Sequence, residues 1–101
     1  MISPEQGDPT PTQKVTFPLG KLVGTPRAMQ AVPLEVIIAA LVRHGRGDWG
    51  RVSPDDWQAN QRALVDGGRL LSVYETRDGG RFWIITEGDR SLTTVLLPDE
   101  Y

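Results

Sequence analysis

The stretch RLLSVYETRDGGRFWIITEGDRSLTTVLLP, Arg69 to Pro98, decides the fold. Three runs within it, RLLSVYETR, RFWIITE and SLTTVLL, are rich in β-branched and aromatic residues, which suit a pleated, half-buried surface. Asp78-Gly79-Gly80 between the first two is a strong hairpin signal, and Gly88-Asp89-Arg90 supplies a second tight turn. Together they predict a three-stranded antiparallel meander that stops at Pro98, with Asp99-Glu100-Tyr101 as a short tail. Alternation along the middle strand sets Trp83 and Ile85 on one face and Phe82, Ile84 and Thr86 on the other. The last strand splits into Leu92, Thr94 and Leu96 against Thr93, Val95 and Leu97. Neither face is plainly polar. Helices can cover one face; the second must be covered by the N-terminal segment, by another copy or by a partner.

Upstream, Ser53-Pro54-Asp55-Asp56 has the marks of a helix start. Serine caps, proline tolerates the first helical position, and two acids meet the positive end of the dipole. Asp56, three residues after Ser53, makes a short-armed capping box. Trp57, Gln61, Leu64 and Val65 share one face, which predicts that this stripe covers a core, and Gly67-Gly68 ends the helix. Before it, LEVIIAALV is apolar nearly all round and reads as a buried helix from Leu34 to His44. Its β-branched Val36, Ile37 and Ile38 leave a buried strand as the rival, but length favours a helix. Arg43 and His44 suit its negative end, and Gly45 is placed to take the left-handed closing position. Thr25-Pro26 starts a shorter helix, Pro26 to Val32. Leu19 to Val23 reads as a short edge strand, which would make the sheet four-stranded. Residues 1–14, MISPEQGDPTPTQK, hold three prolines and almost no large apolar residue. Such a composition does not offset its ordering entropy, so a disordered arm is expected ahead of a single α+β domain over residues 15–101.

The chain has no cysteine, which removes disulfides, thiol nucleophiles and cysteine-held metals. No run of ~20 apolar residues is present to span a bilayer, and the N-terminus lacks a basic region followed by an apolar one. A soluble cytoplasmic protein with no membrane role is the expectation. The net charge of −2 is unevenly spread: Gly20 to Ser53 carries +3 and Pro54 to Tyr101 carries −4. Such asymmetry can orient a partner, although ordinary solvated charge explains it as well.

The connection RHGRGDWGR, Arg43 to Arg51, holds the only histidine. His44 near Asp48 and Ser53 is a thin triad, since Ser53 serves better as a cap and His44 as a helix-terminal cation. No catalytic residue is assigned. One histidine plus scattered carboxylates do not match zinc spacing, and the glycine pairs fit no phosphate loop, so neither metal nor cofactor is expected. Arg46-Gly47-Asp48 matches the tripeptide read by integrins, a match that arises easily by chance. Arg43, Arg46 and Arg51 around Trp49 make the best nucleic-acid candidate, with arginines for phosphates and an indole to stack on a base. Asp48 among them favours the plainer expectation, in which Trp49 folds back as a core plug and the arginines are solvated. On the sheet, Thr86, Glu87 and Arg90 form a candidate polar site. Tyr74, Phe82 and Ile84 are the further candidates for contact with a partner.

The motifs GDWG (Gly47–Gly50), Gly68-Arg69-Leu70-Leu71-Ser72, WIITE (Trp83–Glu87), Asp89-Arg90, Thr93-Thr94 and Leu96-Leu97-Pro98 occur together, with Asp56, Asn60, Leu64, Tyr74, Gly80 and Tyr101 between and around them. In this combination, and in the opening LGKLVGTP (Leu19–Pro26), the chain resembles the small plasmid-related proteins carried on bacterial plasmids and integrative elements. The resemblance covers roughly Leu19 to Tyr101; the arm falls outside it, and Gly24 stands where alanine is expected. It implies a bacterial, mobile-element setting and no particular reaction. Small proteins in that setting often inhibit host defence, such as CRISPR or restriction complexes, or act in plasmid maintenance. The leading expectation is therefore a non-enzymatic protein that binds a protein or nucleoprotein partner stoichiometrically, with a homodimer through the second sheet face as one way to cover it. The alternatives are a small nucleic-acid-binding regulator using the Arg43–Arg51 loop, and a toxin–antitoxin component.

Overall fold

The computed structural model describes residues 16–101, so the arm expected over residues 1–14 lies outside the described residues. The fold is α+β. Strand β1 (Lys21–Gly24) leads into three helices, α1 (Pro26–Ala31), α2 (Leu34–Gly45) and α3 (Pro54–Asp66). Strands β2 (Leu70–Glu75), β3 (Arg81–Thr86) and β4 (Leu92–Leu96) follow, and a 3₁₀ turn at Pro98–Glu100 closes the chain. The meander forms as expected, with Tyr74 opposite Phe82 and Ile84 opposite Val95. The fourth strand does not extend it antiparallel. β1 pairs parallel with β4, Leu22 beside Thr93, and the strand order is β1-β4-β3-β2. Parallel neighbours need a long crossover, and here the three helices lie in the connection between them.

The cap residues work as their chemistry predicts. Thr25 and Ser53 each accept a backbone N–H three residues on, from Ala28 and Asp56, both at 3.1 Å. α2 runs one residue past His44, through Gly45, and the left-handed closing position falls on Gly47 (φ 85°), not Gly45. The helix face of the sheet carries Tyr74, Phe82, Ile84 and Val95, which pack on Ala28, Val32, Ile37 and Ala40. A second cluster of Phe17, Trp49, Leu70 and Ala63 fills the space between the sheet and α3. The stripe expected on α3 is displaced. Val65 is 86% exposed and Trp57 is on the surface, while Asn60 and Ala63 are buried. The reason is polar: the Asn60 side-chain amide donates to the Leu71 carbonyl (2.8 Å) and its oxygen accepts the Leu71 N–H (3.1 Å). That two-point clasp turns α3 toward the backbone of β2.

The second sheet face is partly covered by the chain itself. Tyr101 lies over Trp83, ring centroids 5.2 Å apart, and the Arg69 guanidinium stacks on Tyr101. Glu100 ties this tail back by accepting from the Thr25 hydroxyl (2.7 Å) and the Leu97 N–H (2.8 Å). Val73, Ile85 and Leu96 on that face are buried. Part of the cover thus comes from the C-terminal tail, which is not among the three covers expected for this face, the N-terminal segment, another copy or a partner.

Candidate functional site

The Arg43–Arg51 connection is set by four successive residues, Gly47 to Gly50. Gly47 reverses the chain after α2. Asp48 then accepts from Arg43 Nε (2.8 Å) and from the Gly50 N–H (3.2 Å). The Arg43 guanidinium holds the Asp48 carboxyl below the usual carboxylate range, and Arg43 also lies over the Tyr74 ring at 4.7 Å. Trp49 turns inward to 0% exposure, its indole N–H donating to Gln61 Oε1 (2.9 Å). Gly50 (φ 73°) presses against β2, where any Cβ would meet the Val73 carbonyl oxygen at 2.0 Å. Around it, Arg51 N–H donates to the Val73 carbonyl (2.7 Å) and Val73 N–H to the Trp49 carbonyl (3.0 Å). The loop therefore acts as a partial fifth strand on the outer edge of β2.

This places the candidates. Trp49 is a core side chain, so it presents no stacking surface. Arg43 and Asp48 pair with each other, and Arg51 faces Glu75 at 3.7 Å. Arg46 caps the end of α2 through its backbone N–H. Tyr74, Phe82 and Ile84 are buried against the helices and hold the core instead of facing a partner, and the Tyr74 hydroxyl donates to the Asp48 carbonyl (2.6 Å). Glu87 remains at the surface beside Arg69. Arg90 is a clasp. Its guanidinium donates to the carbonyls of Gly68 (2.6 Å), Ala63 (2.9 Å), Glu87 (3.2 Å) and Gly88 (3.2 Å). The Ala63 carbonyl lies in the last turn of α3, where a cation is favoured. The backbone of Arg90 sits at φ 62°, an uncommon conformation for a non-glycine residue. Arg90 closes the turn that starts at Glu87, and Gly88 within that turn lies against the Gly67 carbonyl, 2.6 Å from where a Cβ would be. The Glu87–Arg90 turn is thus a structural joint.

His44 shows what the sequence hid. It is fully buried, edge-on to Phe17 (5.4 Å) and Trp49 (5.6 Å). Its Nδ1 lies 2.5 Å from Ser72 Oγ, and its Nε2 lies 2.9 Å from Thr86 Oγ1. Thr86 Oγ1 is 2.7 Å from Thr93 Oγ1, which in turn donates to the Leu19 carbonyl (2.6 Å). That carbonyl can only accept, so the proton order follows along the chain of bonds. Thr93 donates to Leu19, Thr86 to Thr93, and His44 Nε2–H to Thr86; Nδ1 then accepts from the Ser72 hydroxyl. Burial, and then Arg90, push the His44 pKa down to about 4, so the ring is neutral. A serine on one ring nitrogen has the outline of an activated nucleophile. Here the group on the other nitrogen is a threonine, and Ser72, His44, Thr86 and Thr93 are all at 0% exposure. The network joins α2, β2, β3, β4 and the segment before β1 into one unit.

The exposed face that remains lies on the opposite edge. Leu22 of β1, Met29 of α1, and Leu34, Ile38 and Val42 of α2 are all exposed, Leu34 to 59%. Positions 34, 38 and 42 stack along one line of a helix. Leu22, Met29, Leu34 and Ile38, with Gly24 and Leu41, bound an open apolar groove between β1 and α2. Among the described residues no group of three or more metal-ligating side chains gathers, and no helix is long and apolar enough to cross a membrane. No family model matches the chain, and neither a curated protein nor a solved structure matches it significantly.

Proposed function

We propose that the chain is a non-enzymatic binding protein that works by stoichiometric contact through the β1–α2 groove. One observation carries this reading: four of the eight exposed large hydrophobic side chains among the described residues, Leu22, Met29, Leu34 and Ile38, line this one groove. Scattered exposed hydrophobics need no explanation, but a contiguous patch marks a contact surface. The burial of His44 and Ser72 supports the same reading, because the one serine–histidine pair is spent on structure. The resemblance to plasmid-related proteins sets it in a bacterial mobile-element context, where inhibition of a host defence complex is the natural role. The nucleic-acid reading is weaker, since the indole meant to stack on a base is in the core. The test is retention of a specific protein or complex from a bacterial host lysate by the wild type, compared with Ile38→Asp. Loss of retention in Ile38→Asp, with the fold intact by circular dichroism, is expected. Equal retention by both would reject the groove as the contact surface.

A further inference from the structure

The groove has a backbone component that narrows what fills it. β1 uses alternate residues to bond β4: Lys21 N–H donates to the Ser91 carbonyl and Thr25 N–H to the Val95 carbonyl, each at 3.0 Å. With the two-residue period of a strand, the N–H and C=O of Leu22 and Gly24 point the other way, out of the sheet. β1 is the border strand, so among the described residues no strand lies on that side of them. The side chain of Leu22 and the bare Cα of Gly24 share the helix face, beside the groove.

We infer that the first occupant of this edge is a second copy of the chain, joined β1 to β1 in antiparallel register about a two-fold axis at Val23. The inference rests on the reading of the groove as a contact surface, which the second copy and a host partner would occupy in turn and not together. The register is set by the edge itself. A two-fold at Val23 puts Leu22 opposite Gly24 of the other copy, and Gly24 opposite its Leu22. All four outward-pointing residues then form narrow hydrogen-bonded pairs, with every outward N–H and C=O on the strand used. The pairing is sterically self-complementary as well. Each Leu22 side chain comes to lie beside a glycine, where no Cβ opposes it, and near the exposed Met29 and Leu34. An isologous pair buries the apolar patch from both copies, which moves the contact toward the roughly 1,000 Å² that a specific interface needs. A strand of four residues would not suffice by its backbone alone, and the adjoining apolar patch supplies the rest.

Sedimentation equilibrium or light scattering on the full chain decides it. The expected mass is twice the 11.2 kDa of the chain. Leu22→Pro removes an N–H that β4 does not use, and proline is tolerated at an outward edge position, so this variant should fold and sediment at the single-chain mass. Leu34→Glu should weaken the pair at least tenfold. Amide exchange of Leu22 and Gly24 should slow as protein concentration rises, while that of Lys21 stays constant. A wild type that remains at the single-chain mass up to about 1 mM (a standard free energy of only about 4 kcal/mol) overturns the inference. So does a double-mass species that survives both substitutions. In either case, loss of host-protein retention in Ile38→Asp would leave the groove reading standing, and equal retention would remove it too.

Discussion

His44 carries the most consequence of any single residue. Its imidazole is neutral because burial and Arg90 hold its pKa at about 4, against the 6.5 it has when exposed. The unfolded chain therefore takes up a proton first as pH falls. Between pH 6.5 and pH 4 the unfolded state binds more protons than the folded state, so stability drops across that window and levels off below it. A lowering of this size is worth about 3 kcal/mol by pH 4. Urea unfolding at pH 7, 5 and 4 should show that slope, and His44→Gln should flatten it while lowering stability at pH 7. Nitrogen shifts of the ring should report the Nε2–H form. The same buried chain of hydroxyls explains why serine and threonines stand at Ser72, Thr86 and Thr93 in strands otherwise built from aliphatic and aromatic side chains.

At the scale of elements, Gly50 is the most demanding position. A Cβ there meets the Val73 carbonyl at 2.0 Å, and the backbone sits at φ 73°, so no other residue fits without moving the strand. Gly50→Ala should cost at least about 3 kcal/mol, combining left-handed strain with a lost contact. Thermal melting measures the loss, and faster exchange of the Val73 amide would show that the Trp49–Arg51 segment has left β2. The elements themselves were largely legible. The two turns, the Thr25 and Ser53 caps and the period-two runs are local signals, each fixed by residues a few positions apart. What escaped reading is long-range and polar. The parallel pairing of β1 with β4 joins residues 71 apart, as Leu22 does with Thr93, and no spacing rule announces it. Asn60 and Arg90 found their partners in backbone carbonyls of other elements. The weak helix propensity of asparagine in mid-helix was the one available hint for Asn60. The buried candidates Tyr74, Phe82 and Ile84 were misassigned because a strand with two apolar faces does not say which one the helices take. The groove was missed because an all-round apolar helix reads as wholly buried, and α2 leaves Leu34, Ile38 and Val42 outside.

For the molecule as a whole, the charge asymmetry of the sequence is partly consumed by folding. Arg27 and Arg51 from the positive half pair with Asp99 and Glu75 from the negative half, and Glu75 also meets Arg81. These pairs are exposed and screened, so stability should be nearly indifferent to salt. Raising sodium chloride from about 0.05 M to about 1 M should leave Tm unchanged within a few degrees; a steep fall would mean that the pairs hold the halves together. Duplex DNA should show no band shift at about 0.15 M salt, and a shift lost in Arg46→Ala would restore the regulator reading. The two borders of the sheet are treated differently. Along β2 the chain lays its own Trp49–Arg51 segment, while β1 is left bare of described partners. A sheet with two bare borders can recruit neighbours on both sides and grow into a fibre. Among the described residues this one has a single growth point per molecule, so border-to-border association through it ends when two chains have met.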